Sequence, residues 1–174
     1  MAIKKILVEP NKLLRQVSKT VDFVGKEEQE LMDDMIDTMY DANGIGLAAI
    51  QIGVPKRIIV LDISKDQKNK NPMFFVNPII KNKHEDKTSY EEGCLSVPGQ
   101  FAEIQRPSSC EVEYLDYNGK KKILKADGLL STCIQHEMDH LEGILFIDYL
   151  SKLKKSMIIK KLSKVKANPE RIVV

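Results

Sequence analysis

The segment 136–140, His-Glu-Met-Asp-His, constrains the fold of this chain more than any other part of the sequence. It lies in a stretch with helical periodicity that begins near Leu129. Two residues four positions apart project from the same side of a helix, so both imidazoles can reach one metal ion, and the glutamate can sit beside the open metal position. The alternative is a helix whose histidines merely cap or pair with acids. Because the chain has three histidines in all, the spacing favours a metal-binding helix, which Gly143 ends.

A catalytic site of this kind needs a third protein ligand and a position left open for water. The longer motif HExxHxxGxxH fails at its last position, which is Phe146. Asp148 and Glu170 are possible carboxylate ligands. Cys94 is the more attractive candidate, because the segment 91–98 (EEGCLSVP) flanks it with glycine and proline. A lone cysteine is, alternatively, often a small buried apolar residue.

A third feature is the segment 44–51, Gly-Ile-Gly-Leu-Ala-Ala-Ile-Gln. Its glycine and alanine residues permit close approach of another backbone, and Gln51 supplies an amide donor for a developing negative oxygen. A dinucleotide-binding loop is disfavoured, because the third glycine is missing and no predicted strand precedes the segment.

The remaining pattern predicts an α+β fold, with antiparallel β-sheets packed around a central HExxH helix, an N-terminal helix and a C-terminal helix. The N-terminal helix covers 26–41 and ends at Asn43-Gly44, and residues 10–17 form a loop and turn. The predicted strands are 57–63, 73–80, 109–117 and 121–124, the last two joined by a turn at Asn118-Gly119; the predicted loops are 64–72 and 81–89. A lysine-rich helix from about Leu150 to Val165 ends at Asn168-Pro169.

Composition narrows the class of protein. With 174 residues and 43% hydrophobic content, we expect one domain over residues 1–174. The net charge of +2 does not indicate DNA binding, and no apolar run approaches the ~20 residues needed to cross a membrane. The three cysteines, Cys94, Cys110 and Cys133, form no secreted disulfide pattern. We therefore expect a cytoplasmic protein.

Three segments resemble, in the same order, the motifs GxGxAAxQ, EGCxS and HExxH of the peptide deformylase family. They are residues 44–51, 92–96 and 135–143, and the resemblance extends over nearly the whole chain. One departure is Phe101, which stands where some members of the family carry arginine. The resemblance implies a metal-dependent hydrolase that removes the formyl group from the N-terminal N-formylmethionine of new polypeptides and releases formate.

The resemblance also implies roles for individual residues. Cys94, His136 and His140 would bind one divalent metal ion, with iron(II) as the metal in the cell and zinc, nickel or cobalt as substitutes. Glu137 would be the general base and then the general acid. The side-chain amide of Gln51 and the backbone N–H of Leu95 would stabilise the oxyanion.

The implied substrate is an N-formylmethionyl nascent peptide, paired with the backbone of Gly46. Ile45, Cys133 and Ile134 are candidate walls of the methionine pocket, with core packing as the alternative for each. Glu92 and Asp139 are expected to orient a metal ligand or to pair with Arg106.

The lysine-rich C-terminal helix resembles that of the shorter bacterial subclass and could contact the ribosome. Two rival interpretations remain at this point. One is a metalloendopeptidase, and the other is a binding module that a metal ion stabilises.

Overall fold

The computed structural model describes residues 2–64 and 69–167. Within these ranges lie three α-helices, seven β-strands and three short 3-10 turns. The helices are α1 (Lys26–Asp41), α2 (Gly128–Leu141) and α3 (Lys152–Ala167). The strands are β1 (Gly46–Ala48), β2 (Ile58–Leu61), β3 (Met73–Lys83), β4 (Lys87–Cys94), β5 (Val97–Pro107), β6 (Ser109–Leu115) and β7 (Lys121–Asp127). The 3-10 turns are Lys12–Arg15, Ala49–Ile52 and Phe146–Tyr149. The predicted α+β class is confirmed.

The strands form two antiparallel sheets. One has five strands in the order β1-β2-β3-β6-β7, and the other is the hairpin of β4 and β5. All four residues of β2 are buried, because helices cover both faces of the larger sheet at this strand. Ile58 and Val60 pack with α1, whereas Ile59 and Leu61 pack with α2.

Helix α1 turns one apolar stripe towards the larger sheet, as its sequence predicts. Met32, Met35, Ile36 and Met39 are buried there, and the acidic residues of α1 lie mainly on the other side. Burying a side chain of this size stabilises the fold by about 1.5–3 kcal/mol. Helix α3 is attached by a third cluster, in which Ile158 and Leu162 pack with the chain around Phe146.

Several sequence predictions need correction. Residues 81–89 do not form a loop, because β3 continues to Lys83 and β4 begins at Lys87, and β5 and the short β1 were not predicted. Both faces of the β4–β5 hairpin carry polar residues, so the alternation that marks a half-buried strand is absent. The loop and turn predicted for residues 10–17 are confirmed, and the turn is the 3-10 segment Lys12–Arg15. Part of the predicted 64–72 loop, and the helix end at Asn168-Pro169, fall outside the described residues.

No helix in the described ranges has both the length and the apolar content required to cross a bilayer.

Gly143 ends α2, as the sequence predicts, and does so with a φ of +72°. A Cβ atom at this position would collide with the backbone carbonyl of Arg15. The chain after α2 is therefore packed directly against the N-terminal segment, where Ser18 also donates a backbone hydrogen bond of 2.8 Å to Leu141.

We predict that Gly143→Ala destabilises the protein by at least about 2 kcal/mol more than Gly99→Ala does. Gly99 is the matched control, because its φ is +69° but a Cβ there meets nothing within 4 Å. Both variants carry the left-handed strain, and only Gly143→Ala adds the collision. Urea unfolding of the two variants measures the difference; equal losses of stability would contradict the close packing inferred at Gly143.

Candidate metal centre

One face of α2 carries polar side chains into the interior of the protein. His136, Glu137 and His140 are 8%, 5% and 0% exposed. They lie on the same helix face as Thr132 and Cys133, one turn earlier. A buried polar stripe on a helix requires partners, and the end of the β4–β5 hairpin supplies them.

Cys94 is the last residue of β4 and lies opposite these histidines. It pairs with Val97 across the two-residue turn Leu95–Ser96, next to an irregularity in the strand register. Its Sγ atom lies 3.3 Å from Nε2 of His140. The candidate ligand atoms of Cys94, His136 and His140 all fall within 4.8 Å of one another.

The environment of the two histidines fits a metal ion. Nδ1 of His136 lies 2.8 Å from Oε2 of Glu92. A hydrogen bond from Nδ1 to this carboxylate fixes the orientation of the ring and leaves Nε2 free to bind a metal ion. Burial lowers the pKa of His140 well below its usual value, which favours the neutral imidazole that metal binding requires. A thiolate with two imidazoles suits iron(II), zinc, nickel or cobalt.

Arg106 connects the hairpin to α2 beneath this site. It is 4% exposed and donates to both carboxylate oxygens of Glu92, at 2.6 and 3.0 Å, and to Asp139 at 2.8 Å. Burial raises the pKa of Glu92, but the hydrogen bonds from His136 and Arg106 outweigh burial and hold that pKa below its ordinary value. Glu92 therefore contacts both the ligand candidate His136 and Arg106, and Asp139 contacts Arg106.

The carboxylate of Glu137 packs against the backbone of Gly46. A Cβ atom at Gly46 would collide with Oε1 of Glu137, so only glycine leaves room for this carboxylate. Oε2 of Glu137 is buried and has no hydrogen-bond partner in the described structure. Burial raises the pKa of Glu137 to about 7, a range suited to both accepting and releasing a proton.

Gln51 lies on the other side of Cys94 and is 1% exposed. Its Oε1 accepts a 2.8 Å hydrogen bond from the backbone of Ala48, which fixes the orientation of the amide. Its Nε2 therefore faces the hairpin, 3.1 Å from Oγ of Ser96 and 3.6 Å from Sγ of Cys94. Ser96 is the serine of the EGCxS segment, but no role was assigned to it from the sequence.

An open cavity of about 280 Å³ adjoins these groups. Gln51, Cys94, Leu95, His136 and Glu137 line it, as do three of the four predicted substrate-contacting residues: Ile45, Gly46 and Cys133. Phe101, expected near the peptide groove, also lines it, as do Leu129 and Thr132, which were not proposed as wall residues from the sequence.

The remaining prediction for the pocket wall needs correction. Ile134 is 0% exposed and packs in the core between α2 and the larger sheet, away from the cavity. It follows Cys133 on the helix, and the 100° rotation between neighbours turns it towards the sheet. Burial raises the pKa of Cys133 to about 12, so this wall residue is a neutral thiol.

Of the alternative carboxylate ligands, Asp148 has other partners. Its oxygens accept hydrogen bonds from Arg15 and Lys155, both at 2.5 Å, and from the backbone of Leu145. The other candidate, Glu170, lies outside the described residues.

The sequence was compared with protein-family profiles and with known proteins, and both comparisons find the same family. Residues 3–156 match the sequence profile of the Polypeptide deformylase family. The chain belongs to the peptide deformylase family. It is 76% identical over 174 residues to the peptide deformylase of Pelagibacter ubique, covering 100% of both chains, and 52% identical over 164 residues to that of Rhizobium meliloti, covering 94% of each.

Solved structures of the family share the fold. The crystal structure of peptide deformylase from Ehrlichia chaffeensis superimposes with a TM-score of 0.92 at 40% identity, covering 97% of this chain and 99% of that one. A second structure of the Ehrlichia chaffeensis protein, in complex with actinonin, gives 0.91 at 43% identity, covering 94% and 98%. The chain is accordingly a metal-dependent amidohydrolase that removes the formyl group from the N-terminal formylmethionine of nascent polypeptides.

We predict that Arg106→Met destabilises the protein by about 3–5 kcal/mol, because it leaves the buried carboxylate of Glu92 without its cation. Arg57→Met is the matched control. Arg57 pairs with Glu142, whose side chain is 48% exposed, and loss of such a pair costs below about 1 kcal/mol. Urea unfolding compares the two; similar effects of both substitutions would mean that the Arg106 network does not hold the hairpin on α2.

Proposed function

We propose that Cys94, His136 and His140 hold one divalent metal ion, iron(II) in the cell, and that Glu137 performs the proton transfers of deformylation. The observation that carries the proposal is the convergence of three ligand atoms within 4.8 Å beside a buried carboxylate without a partner. A metal bound there would act as a Lewis acid on the formyl carbonyl and lower the pKa of a water molecule. Zinc, nickel and cobalt suit the same donor set.

Glu137 acts first as a base. Its free Oε2 accepts a proton from the water that attacks the formyl carbon. The protonated carboxyl then donates this proton to the methionine nitrogen as the C–N bond breaks, which yields formate and a free amine. The fixed contact with Gly46 supports this role, because it holds the carboxylate in one place throughout.

Gln51 and Leu95 stabilise the negative charge that develops on the formyl oxygen. The Gln51 amide group already faces Cys94, and its orientation is fixed by Ala48. The backbone N–H of Leu95, next to Cys94 in the hairpin turn, is the second donor. Each donor of this type is worth a factor of roughly 100 to 1,000 in turnover.

The substrate peptide pairs with β1. This strand lies at the edge of the larger sheet, so one side of its backbone has no neighbouring strand within that sheet. Gly46 thus offers main-chain groups to an extended peptide, which adds as a further strand. Ile45 and Cys133 then contact the methionine side chain in the cavity.

A metalloendopeptidase would use similar chemistry on internal amides. Its third ligand would be a carboxylate, and Asp148, the candidate within the described ranges, is instead bound to Arg15 and Lys155. The position of Cys94 therefore favours deformylation. A binding module with a closed four-ligand site is disfavoured too, since Glu137 would have no task in it.

We predict that Glu137→Gln lowers formate release from a formyl-methionyl peptide by about 10²–10⁴-fold, because the amide cannot accept the proton. The measurement uses protein loaded anaerobically with iron(II). Glu142→Gln, which removes an exposed carboxylate just beyond the end of α2, is the control and should retain turnover. Undiminished formate release by Glu137→Gln would exclude Glu137 as the base.

We predict that Cys94→Ala loses most of its bound metal after dialysis, whereas Cys110→Ala retains it. Cys110 is buried in β6 and belongs to the core cluster. Metal analysis of the purified variants measures the stoichiometry. Full metal retention by Cys94→Ala, with cleavage of an unblocked internal peptide, would support the peptidase instead.

We also propose that the protein works in the cytoplasm and contacts the ribosome through α3. Ile158 and Leu162 fix this helix to the core. Up to residue 164, where its side chains are described, α3 carries five exposed lysines: Lys152, Lys154, Lys160, Lys161 and Lys164. Such a surface suits the phosphates of ribosomal RNA.

Changing these five lysines of α3 to glutamine should weaken ribosome binding at low salt and reduce its salt dependence. The charge-matched control replaces five exposed lysines elsewhere: Lys5, Lys12, Lys26, Lys87 and Lys122. Cosedimentation with ribosomes measures both variants. Equal binding by the α3 variant and the parent would rule out this contact.

A further inference from the structure

The side chain of Thr132 is a buried polar group that the mechanism above does not use. It lies on α2, is 3% exposed and lines the cavity beside the candidate metal centre. Its hydroxyl has no hydrogen-bond partner among the described residues. A buried hydroxyl without a partner is unfavourable, so its presence calls for a physical reason.

The neighbouring hydroxyl shows that the helix can satisfy such a group. Oγ of Ser131 donates to the carbonyl of Pro107 and accepts from Nε2 of Gln135, at 3.3 and 2.9 Å. A helical threonine can likewise bond to a carbonyl one turn earlier. Among the described residues Thr132 makes no such bond, and its hydroxyl oxygen is itself enclosed. Rotation about χ1, which exchanges the hydroxyl and the methyl group, would turn this hydroxyl towards a molecule that enters the cavity.

The position of Thr132 along α2 matches the length of a methionine side chain. It precedes the metal-ligand candidate His136 by four residues, a rise of about 6 Å along the helix. In an extended formylmethionine, the sulfur lies roughly 6 Å from the formyl carbon, given ordinary bond lengths. With the formyl group beside His136 and Glu137, the sulfur therefore reaches the level of Thr132.

Most side chains around Thr132 at this end of the cavity are poor hydrogen-bond donors to the sulfur; the exception is Tyr90, whose hydroxyl lies near the first residue of α2. Ile45 and Leu129 are aliphatic, and Cys133 is a neutral thiol. A thioether sulfur is a weak hydrogen-bond acceptor, and a hydroxyl is a donor that can rotate to meet it. Threonine in a helix also populates two χ1 rotamers, which exchange the positions of its hydroxyl and methyl groups.

We propose that the hydroxyl of Thr132 donates a hydrogen bond to the thioether sulfur of the substrate's N-terminal methionine. This inference rests on the proposed function of the site. With this hydrogen bond, Thr132 distinguishes methionine from an aliphatic side chain of the same shape. A pocket with apolar walls alone would make no such distinction.

The test compares formate release from two peptides that differ only in the first residue, formylmethionine or formylnorleucine, in which a methylene replaces the sulfur. The quantity measured is the ratio of kcat/KM for the two peptides. Thr132→Val removes the hydroxyl and keeps the shape, and it should lower this ratio about fivefold, which corresponds to about 1 kcal/mol. Thr132→Ser keeps the hydroxyl and should keep the ratio.

Thr88→Val is the matched control, because the Thr88 hydroxyl also lacks a partner in the described structure but lies in β4 outside the cavity. It should leave the ratio unchanged. If Thr132→Val folds poorly, Thr132→Ala against Thr132→Ser makes the same comparison. If the parent, Thr132→Val and Thr132→Ala all release formate with the same ratio of kcat/KM for the two peptides, this inference is overturned and the proposed function is not. A metal-loaded parent that releases no formate from either peptide would overturn the proposed function as well.

Discussion

The burial of a polar helix face is the constraint on which the rest of the structure depends. His136, Glu137 and His140 are almost fully removed from water, which is unfavourable unless each group meets a complementary partner or a metal ion. Glu92 provides the partner for His136, and Arg106 balances the charge of Glu92. The β4–β5 hairpin, whose buried apolar side chains pack in the third core cluster, is held on α2 by these polar groups of the site.

Three parts of the chain that are distant in sequence meet at this site: the edge strand β1, the turn of the β4–β5 hairpin, and helix α2. The edge strand β1 brings a glycine backbone against Glu137, and its outer side has no neighbouring strand within the five-stranded sheet. The hairpin turn projects Cys94 towards α2, with Gln51 behind it. Helix α2 supplies the two histidines and, in the preceding turn, part of the cavity wall. The distance between the candidate metal centre and this wall is therefore set by the helix itself.

The sequence predicted those parts of the site that depend on local periodicity. The spacing of His136 and His140 fixes their common helix face whatever the surroundings, and the stripe of α1 and the alternation of β6 follow the same logic. The choice of Ile134 in place of Thr132 for the cavity wall was an error that the same periodicity corrects, because Thr132 lies one turn before His136 on the same face, whereas Ile134 is rotated by about 200° from Thr132. The β4–β5 hairpin escaped prediction because its buried face includes the charged residues Glu92 and Arg106, so the sequence does not alternate between apolar and polar residues. Two results of the sequence analysis remain predictions: the single domain over residues 1–174, and the role of each site residue.

The central claim is that one thiolate and two imidazoles hold the metal ion. X-ray absorption spectroscopy of the zinc-loaded protein tests it most directly, because sulfur and nitrogen ligands lie at different distances from the metal. The account predicts a single sulfur at about 2.3 Å and two imidazole nitrogens at about 2.0–2.1 Å, with one further light atom from water. A first shell of nitrogen and oxygen alone would show that Cys94 is not a ligand, and the proposed arrangement of the site would be wrong.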